Sequence, residues 1–341
     1  MERSGNTLRG GVSQPLLLAV AAMAALAGNG TVAAAARFKT FDPKGSINTT
    51  AATINAAGAI AGYYQDGNGV LHGFVRSPNG KITRFEAPGA TYTIAYTINA
   101  TGSITGYYHD VQGTHGFVRA PDGTFSSFDA PGSIETLSFN INDSGTVTGY
   151  YQDVAGAIHG FLRTADGAFT RFDPQGAKQT YPFGINSAGA TTGYYYDANF
   201  FGHGFVRAAN GTITSFDPPL STFTSGERIN DKGTIVGYFQ TTGNSHGFVR
   251  AADGTITTFD PPGSNDDDAA ISINRKGEVV GYYYDASIKT HGFLRKPGGT
   301  FTDFDPPGST DTSAYGINDS GEITGIYVEG SLIHGFLRTT R

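Results

Sequence analysis

The sequence predicts an all-β fold: a seven-bladed β-propeller with four-stranded blades. Three observations carry this. His-Gly-Phe recurs seven times at near-constant spacing. The composition is that of short strands and tight turns, with 49 Gly, 18 Tyr and 24 Phe in 341 residues and only 15% charged side chains. Beyond the first 36 residues no stretch has helical periodicity.

The chain opens with what reads as a secretory leader over residues 1–36. Arg3 and Arg9 supply a positive start. Pro15 to Gly28 is an apolar run too short to span a bilayer, and the small residues from Thr31 to Ala36 offer a cleavage site after Ala36. A retained anchor helix is the alternative. No later segment has the length or hydropathy to cross a membrane, so the mature chain, residues 37–341, is expected in the periplasm or outside the cell, as a monomer.

Five landmarks then recur in fixed order. His-Gly-Phe begins at His72, His115, His159, His203, His246, His291 and His334, in steps of 43, 44, 44, 43, 45 and 43 residues. Each copy runs on through Val or Leu to an Arg, from Arg76 to Arg338. An Ile-Asn pair starts at Ile54, Ile98, Ile141, Ile185, Ile229, Ile273 and Ile317. A Gly-aromatic signature follows each pair (Gly62-Tyr63-Tyr64 is the first), and Phe-Asp, once Phe-Glu, closes each unit. In the second unit the strands are expected near 96–99, 104–108, 115–119 and 124–128. Asn-x-x-Gly turns join the first two strands, and Asp-Gly or Asn-Gly turns join the last two, where Gly and Asn accept positive φ.

Four strands in about 44 residues match a propeller blade. The mature chain begins with Arg37 to Asp42, a fourth strand lacking its first three. It ends on His334 to Arg338, a third strand lacking its fourth. The N-terminal strand is therefore expected to complete the last blade and close the ring, removing exposed sheet edges. The composite I-N-x-x-G-x-I-x-G-Y-Y-x-D … H-G-F-V-R-x-x-D-G-T resembles the bacterial extracellular repeats of the HAF family over essentially all of residues 37–341, with His-Gly-Phe in place of His-Ala-Phe. The resemblance implies a secreted, propeller-like protein. It carries over no catalytic residue.

A formal net charge of −6 and the lack of any Lys/Arg run argue against nucleic acid and anionic membrane surfaces. The absence of Cys excludes disulfides, thiolate metal sites and a Cys nucleophile. No nucleophile elbow, zincin motif or phosphate loop is present, and nothing implies a cofactor. The repeated His belong to different blades, too far apart to share one metal ion. Each is read as structural, with a partner in the Asp of the loop before it: Asp66, Asp110, Asp153, Asp197 and Asp285.

Residues present in every blade are explained by the blade, so departures from the repeat are the candidates for function. Five positions before each Ile-Asn stands Thr, except for Asp268, the end of the run Asp266-Asp267-Asp268. Two positions before stand Ala52, Tyr96, Phe139, Phe183, Glu227, Ile271 and Tyr315, with Glu227 the only charge. One position before, Arg228 is the only large residue. All are expected at the channel rim, with His109 and Tyr181 on the same face. The ligand-binding candidates are thus His109, Tyr181, Glu227, Arg228, Asp267 and Asp268. The acidic run is either a solvated turn or a calcium site, and Glu227-Arg228 is either a ligand site or a local ion pair.

The expected function is a binding or scaffolding module with one asymmetric site at the channel rim for a glycan, peptide, protein or small molecule. The alternative is a hydrolase or lyase on a polysaccharide or small cyclic substrate, in which Glu227 and Asp268 form a carboxylate pair. A stable surface element without a single ligand is a third.

Overall fold

The computed structural model describes residues 36–340; the expected leader falls almost wholly outside them. Among the described residues there is no helix, and the 28 strands fall into seven four-stranded antiparallel units. Units 1 to 6 span 46–85, 92–128, 133–172, 179–216, 223–259 and 268–304. The three strands over 311–339 are joined by the N-terminal strand Arg37–Phe41, which pairs antiparallel with the last strand, Leu332–Thr339, from Arg37 opposite Thr339 to Phe41 opposite Gly335.

The sequence pattern explains the layers. The fourth strand of each unit, such as Ile82–Phe85, is an outer edge that buries little beyond its terminal Phe. The third strand buries its Phe completely in every unit. The hydrophobic clusters straddle adjacent units: Phe85 of unit 1 packs with Ile98, Ile104 and Phe117 of unit 2, and Phe41 with Ile54, Ile60 and Phe74 of unit 1. The core is therefore a series of sheet-on-sheet interfaces between neighbouring units.

Three repeated polar contacts hold the units, two of them between neighbours and one within each unit. The Asn of each Ile-Asn pair holds its own turn, as Asn55 Oδ1 accepts from the backbone N–H groups of Ala57 and Ala59. The same side chain donates from Nδ2 to the Asn carbonyl of the next unit, at 3.0–3.2 Å, from Asn55 to Asn99 and onward to Asn318, whose Nδ2 returns to the Asn55 carbonyl. Each repeated Arg lies over the terminal Phe of the preceding unit, 4.6–5.2 Å from the ring centre, beginning with Arg76 over Phe41 and ending with Arg338 over Phe304. Each repeated His binds an acid through Nδ1 at 2.7–3.0 Å, the acid of its own unit's Phe-Asp or Phe-Glu pair, with Asp42 serving His334. In five units the loop Asp named above approaches Nε2 at 3.2–3.8 Å. Five of the seven repeated His thus lie between two carboxylates. The loop Asp was legible in the sequence, and the Phe-Asp partner was not.

The first strands differ from expectation. In unit 2 the strand runs Tyr92–Ile98, starting four residues before the predicted position. Positions read as rim loop thus lie within the innermost strand. Each first strand also carries a β-bulge, in unit 5 between Gly226, opposite Gly237, and Arg228, opposite Val236. The bulge exists because Gly237 has no side chain: a Cβ there would lie inside the van der Waals envelope of the Ser225 carbonyl oxygen. The other six units repeat this contact, from Gly62 with Thr50 to Gly325 with Ser313.

Leu220 breaks a turn rule. The other six units place Gly at its position, with φ between 77° and 92°; Leu220 adopts φ 66° and is 89% exposed. Left-handed backbone costs a branched residue about 1–2 kcal/mol. Leu220→Gly is expected to raise the unfolding free energy by up to about 1 kcal/mol once the greater chain entropy of Gly is subtracted, measurable by denaturant titration. Asn142→Ala should do the reverse. It removes a turn cap and an inter-unit bond and orphans a buried carbonyl, so a loss of about 2–4 kcal/mol is expected in the same titration.

Candidate functional site

The bulge has a consequence for the channel. The extra residue it creates in each unit is the one two positions before Ile-Asn. These seven residues, Ala52, Tyr96, Phe139, Phe183, Glu227, Ile271 and Tyr315, line one central chamber of about 470 Å³ together with Thr50, Tyr63, Arg228 and Ile326. A bulge re-aims one side chain per strand, and here it aims all seven at a common point. Glu227 is the one acid among six apolar or aromatic neighbours.

The walls are aromatic on one side. Tyr96 contacts Tyr63, Tyr107 and Phe139, and Phe139 contacts Tyr150 and Phe183, with ring centres 5.0–6.4 Å apart. Burial pushes the phenols of Tyr315 and Tyr150 up to about 12, and that of Tyr96 up as well. These groups remain protonated at neutral pH and act as hydrogen-bond donors, not bases.

Glu227 and Arg228 face this chamber from the same bulge but do not pair with each other. The Glu227 carboxylate accepts a hydrogen bond from Ser225 Oγ at 2.7 Å, while Arg228 Nη1 donates to the Glu227 backbone carbonyl at 3.0 Å. Burial pushes the Glu227 carboxyl up, against the Ser225 bond and the Arg228 charge. Burial pushes Arg228 down, but an arginine starts so far above neutrality that it stays charged. Space for the pair comes from the neighbour: a Cβ at Gly184 would press on Arg228 Cα and the Glu227 carbonyl at 3.1 Å.

Arg228 also reaches a second opening, of about 230 Å³, at the channel end formed by the Ile-Asn turns. Across this mouth lies Arg275, the residue after the Ile-Asn of unit 6. Its Nε is 2.8 Å from Asp231 and 3.7 Å from Asp319, and its Nη2 is 3.8 Å from Asp143, so it joins four units. Arg275 was not singled out in the sequence. Aligning one position further would have found it, since its counterparts are Ala56, Ala100, Asp143, Ser187, Asp231 and Asp319.

The remaining candidates lie elsewhere. His109 stacks on Tyr92 at 5.5 Å, with Nδ1 3.1 Å from Thr114 Oγ1. Tyr181 joins the aromatic wall against Tyr150 and Tyr194, and its hydroxyl donates to Gln179 Oε1 at 3.0 Å. Asp267 is exposed in a shallow groove with Asn244 and Ser245. Asp268 is buried in the wall at the repeat's Thr position, beside Asp260 and 3.5 Å from Ser264 Oγ. In unit 4 the equivalent Thr180 hydroxyl donates to Asp173 at 2.7 Å. Asp268 takes the position of that unit-4 donor, and a protonated carboxyl carries a donor too. Burial, reinforced by the Asp260 charge, pushes it up to about 9. Asp268 and Glu227 thus face different surroundings, and Asp268 is not among the residues lining the chamber. His246, Asp260 and Asp266 bring ligand atoms within 4.8 Å of one another, short of the six to eight oxygens Ca²⁺ takes.

The Asp268 environment gives a signed prediction. Its folded value lies above its unfolded one, so the native state holds a proton the unfolded chain releases. Stability contributed by this position therefore falls as pH rises from about 4 to about 9. Asp268→Thr restores the repeat and should remove that fall. At pH 8 the variant should be more stable than the parent by at least about 1 kcal/mol, with the gap closing near pH 4, in denaturant titrations at the two pH values.

No family model matches this chain, and no curated protein matches it. Solved structures do. A streptogramin B lyase superposes with a TM-score of 0.61 at 15% identity, covering 88% of this chain and 97% of its own. Virginiamycin B lyase from Staphylococcus aureus gives 0.62 at 14% identity, covering 89% and 99%. A catalytically inactive form of that lyase with quinupristin gives 0.61 at 15%, covering 89% and 100%. At such identities the likeness speaks for architecture alone, and it shows that this chain has a β-propeller fold.

Proposed function

We propose that this protein is a secreted, monomeric, HAF-type repeat protein: a seven-bladed propeller closed by its N-terminal strand, which binds one small ligand in its central chamber. Twenty-eight strands in fours, the pairing of Arg37–Phe41 with the last strand and the bond from Asn318 to Asn55 support the closed, seven-bladed reading. One observation carries the ligand site. Seven bulges aim seven side chains at one chamber, and only unit 5 contributes charge, through Glu227 and Arg228. A site repeated per blade would need repeated residues; this one is singular. Its volume is within the 300–1,000 Å³ range of small-molecule sites.

The hydrolase or lyase alternative is weakened, because Asp268 is buried beside Asp260 and is not among the residues that line the chamber with Glu227. Glu227 alone, bonded to Ser225, suits recognition. Likeness to lyases reaches only the fold.

Thermal-shift melting of the chain against a panel of small organic acids, amines, neutral aromatics, oligosaccharides and divalent metals tests the site. A ligand at about 100 times its dissociation constant should add about 2.7 kcal/mol and raise the melting temperature. The shift should vanish in a Glu227→Ala/Arg228→Ala variant that itself melts cooperatively. A shift that survives in the variant places the ligand elsewhere.

A further inference from the structure

The chamber's charge pattern points to a class of ligand, an inference that rests on the chamber reading above. We propose that the chamber takes organic anions: molecules with an apolar or aromatic body and a single carboxylate, the carboxylate docking on Arg228.

The case begins with what Arg228 lacks. A guanidinium has five N–H donors. Among the described residues Arg228 makes one hydrogen bond, to a backbone carbonyl, and no carboxylate lies within ion-pair distance. The seven repeated arginines also lack carboxylate partners, but each rests on a Phe ring; Arg228 rests on none among the described residues. Arg275, at the mouth, has three Asp partners. Arg228 is thus a guanidinium deep in the channel with donors to spare. A planar fork of this kind matches a carboxylate in two parallel bonds.

Glu227 fits the same ligand. A charged carboxylate beside Arg228 would repel an acid. Burial pushes it toward its protonated form, however, whose O–H donates a hydrogen bond to a ligand oxygen instead of opposing it. The ligand body then meets Tyr96, Phe139, Phe183 and Ile271. A neutral ligand would leave the guanidinium unpaired in an apolar chamber, and a cation would face it directly. About 470 Å³ accommodates a bicyclic ring with its acid group.

Isothermal titration of the full chain with 1-naphthoate, 1-naphthamide and 1-naphthylmethylamine tests this on one shared ring. Naphthoate is expected to bind one per chain, with the amide and the amine at least about 10-fold weaker. Arg228→Met should weaken naphthoate on the order of 30-fold or more, the size expected on truncating one partner of a buried charge pair. Arg228→Lys should recover part of this. Thermal melting of each variant separates lost binding from lost fold. Equal binding of the amide or the amine, abolished by Arg228→Met, would overturn the anion preference and leave the chamber intact as a site. Binding of naphthoate unaffected by Arg228→Met in a folded variant, or no binding of any of the three, would overturn the anion proposal and the chamber reading together.

Discussion

A carbonyl oxygen of each innermost strand sits where the Cβ of the neighbouring strand's Gly would otherwise be, and the channel depends on that close approach. At Gly237 the oxygen belongs to Ser225; at Gly62 it belongs to Thr50. The contact locks a bulge into the first strand, and the bulge throws one residue out of register toward the axis. Without it, strict alternation would send that side chain back between the sheets. The Gly of each Gly-aromatic signature is therefore less a strand residue than the device that builds the chamber wall, one residue at a time.

Around that wall the repeat divides its labour. Asn, Arg and His carry the contacts between and within units: a carbonyl for each Asn Nδ2, a Phe ring under each Arg, two acids about most His. These contacts are the same in every unit, so they hold the scaffold without reference to what lines the channel. The bulged residue and its successor make no such repeated contact and are free to vary. Six units fill the bulge with apolar or aromatic side chains. Unit 5 does not, and Gly184 of unit 4 leaves the room that the strand carrying Glu227 and Arg228 requires. The asymmetry of the site comes from a few substitutions on a symmetric frame.

How much of this was legible in the sequence follows from what period each feature has. The unit length, the order of strands and the His–Asp loop contacts recur in linear sequence and were read correctly. Glu227 and Arg228 were flagged because they broke an aligned column. Their depth was misjudged: a bulge has no period, and a strand that starts four residues early turns a rim position into an inner one. Asp268 broke a column too, but its column faces the wall, where in unit 4 the Thr180 hydroxyl serves the Phe-Asp carboxylate. Which face a column occupies depends on the bulge between it and Ile-Asn. Arg275 breaks the column just after Ile-Asn, which was not aligned; its Asp partners, drawn from three other units, are a relation that no single repeat displays.

The claim that the chamber is the binding site is tested most directly by locating a bound molecule. Isoleucine δ-methyl NMR offers well-placed reporters: Ile271 and Ile326 line the chamber, whereas Ile47, Ile134 and Ile288 are exposed on the loop face at the other end of the first strands. On titration with 1-naphthoate the account predicts shifts concentrated at Ile271 and Ile326, with the loop-face methyls unmoved. Shifts confined to Ile47, Ile134 or Ile288 would put the ligand on the outer loops and contradict it.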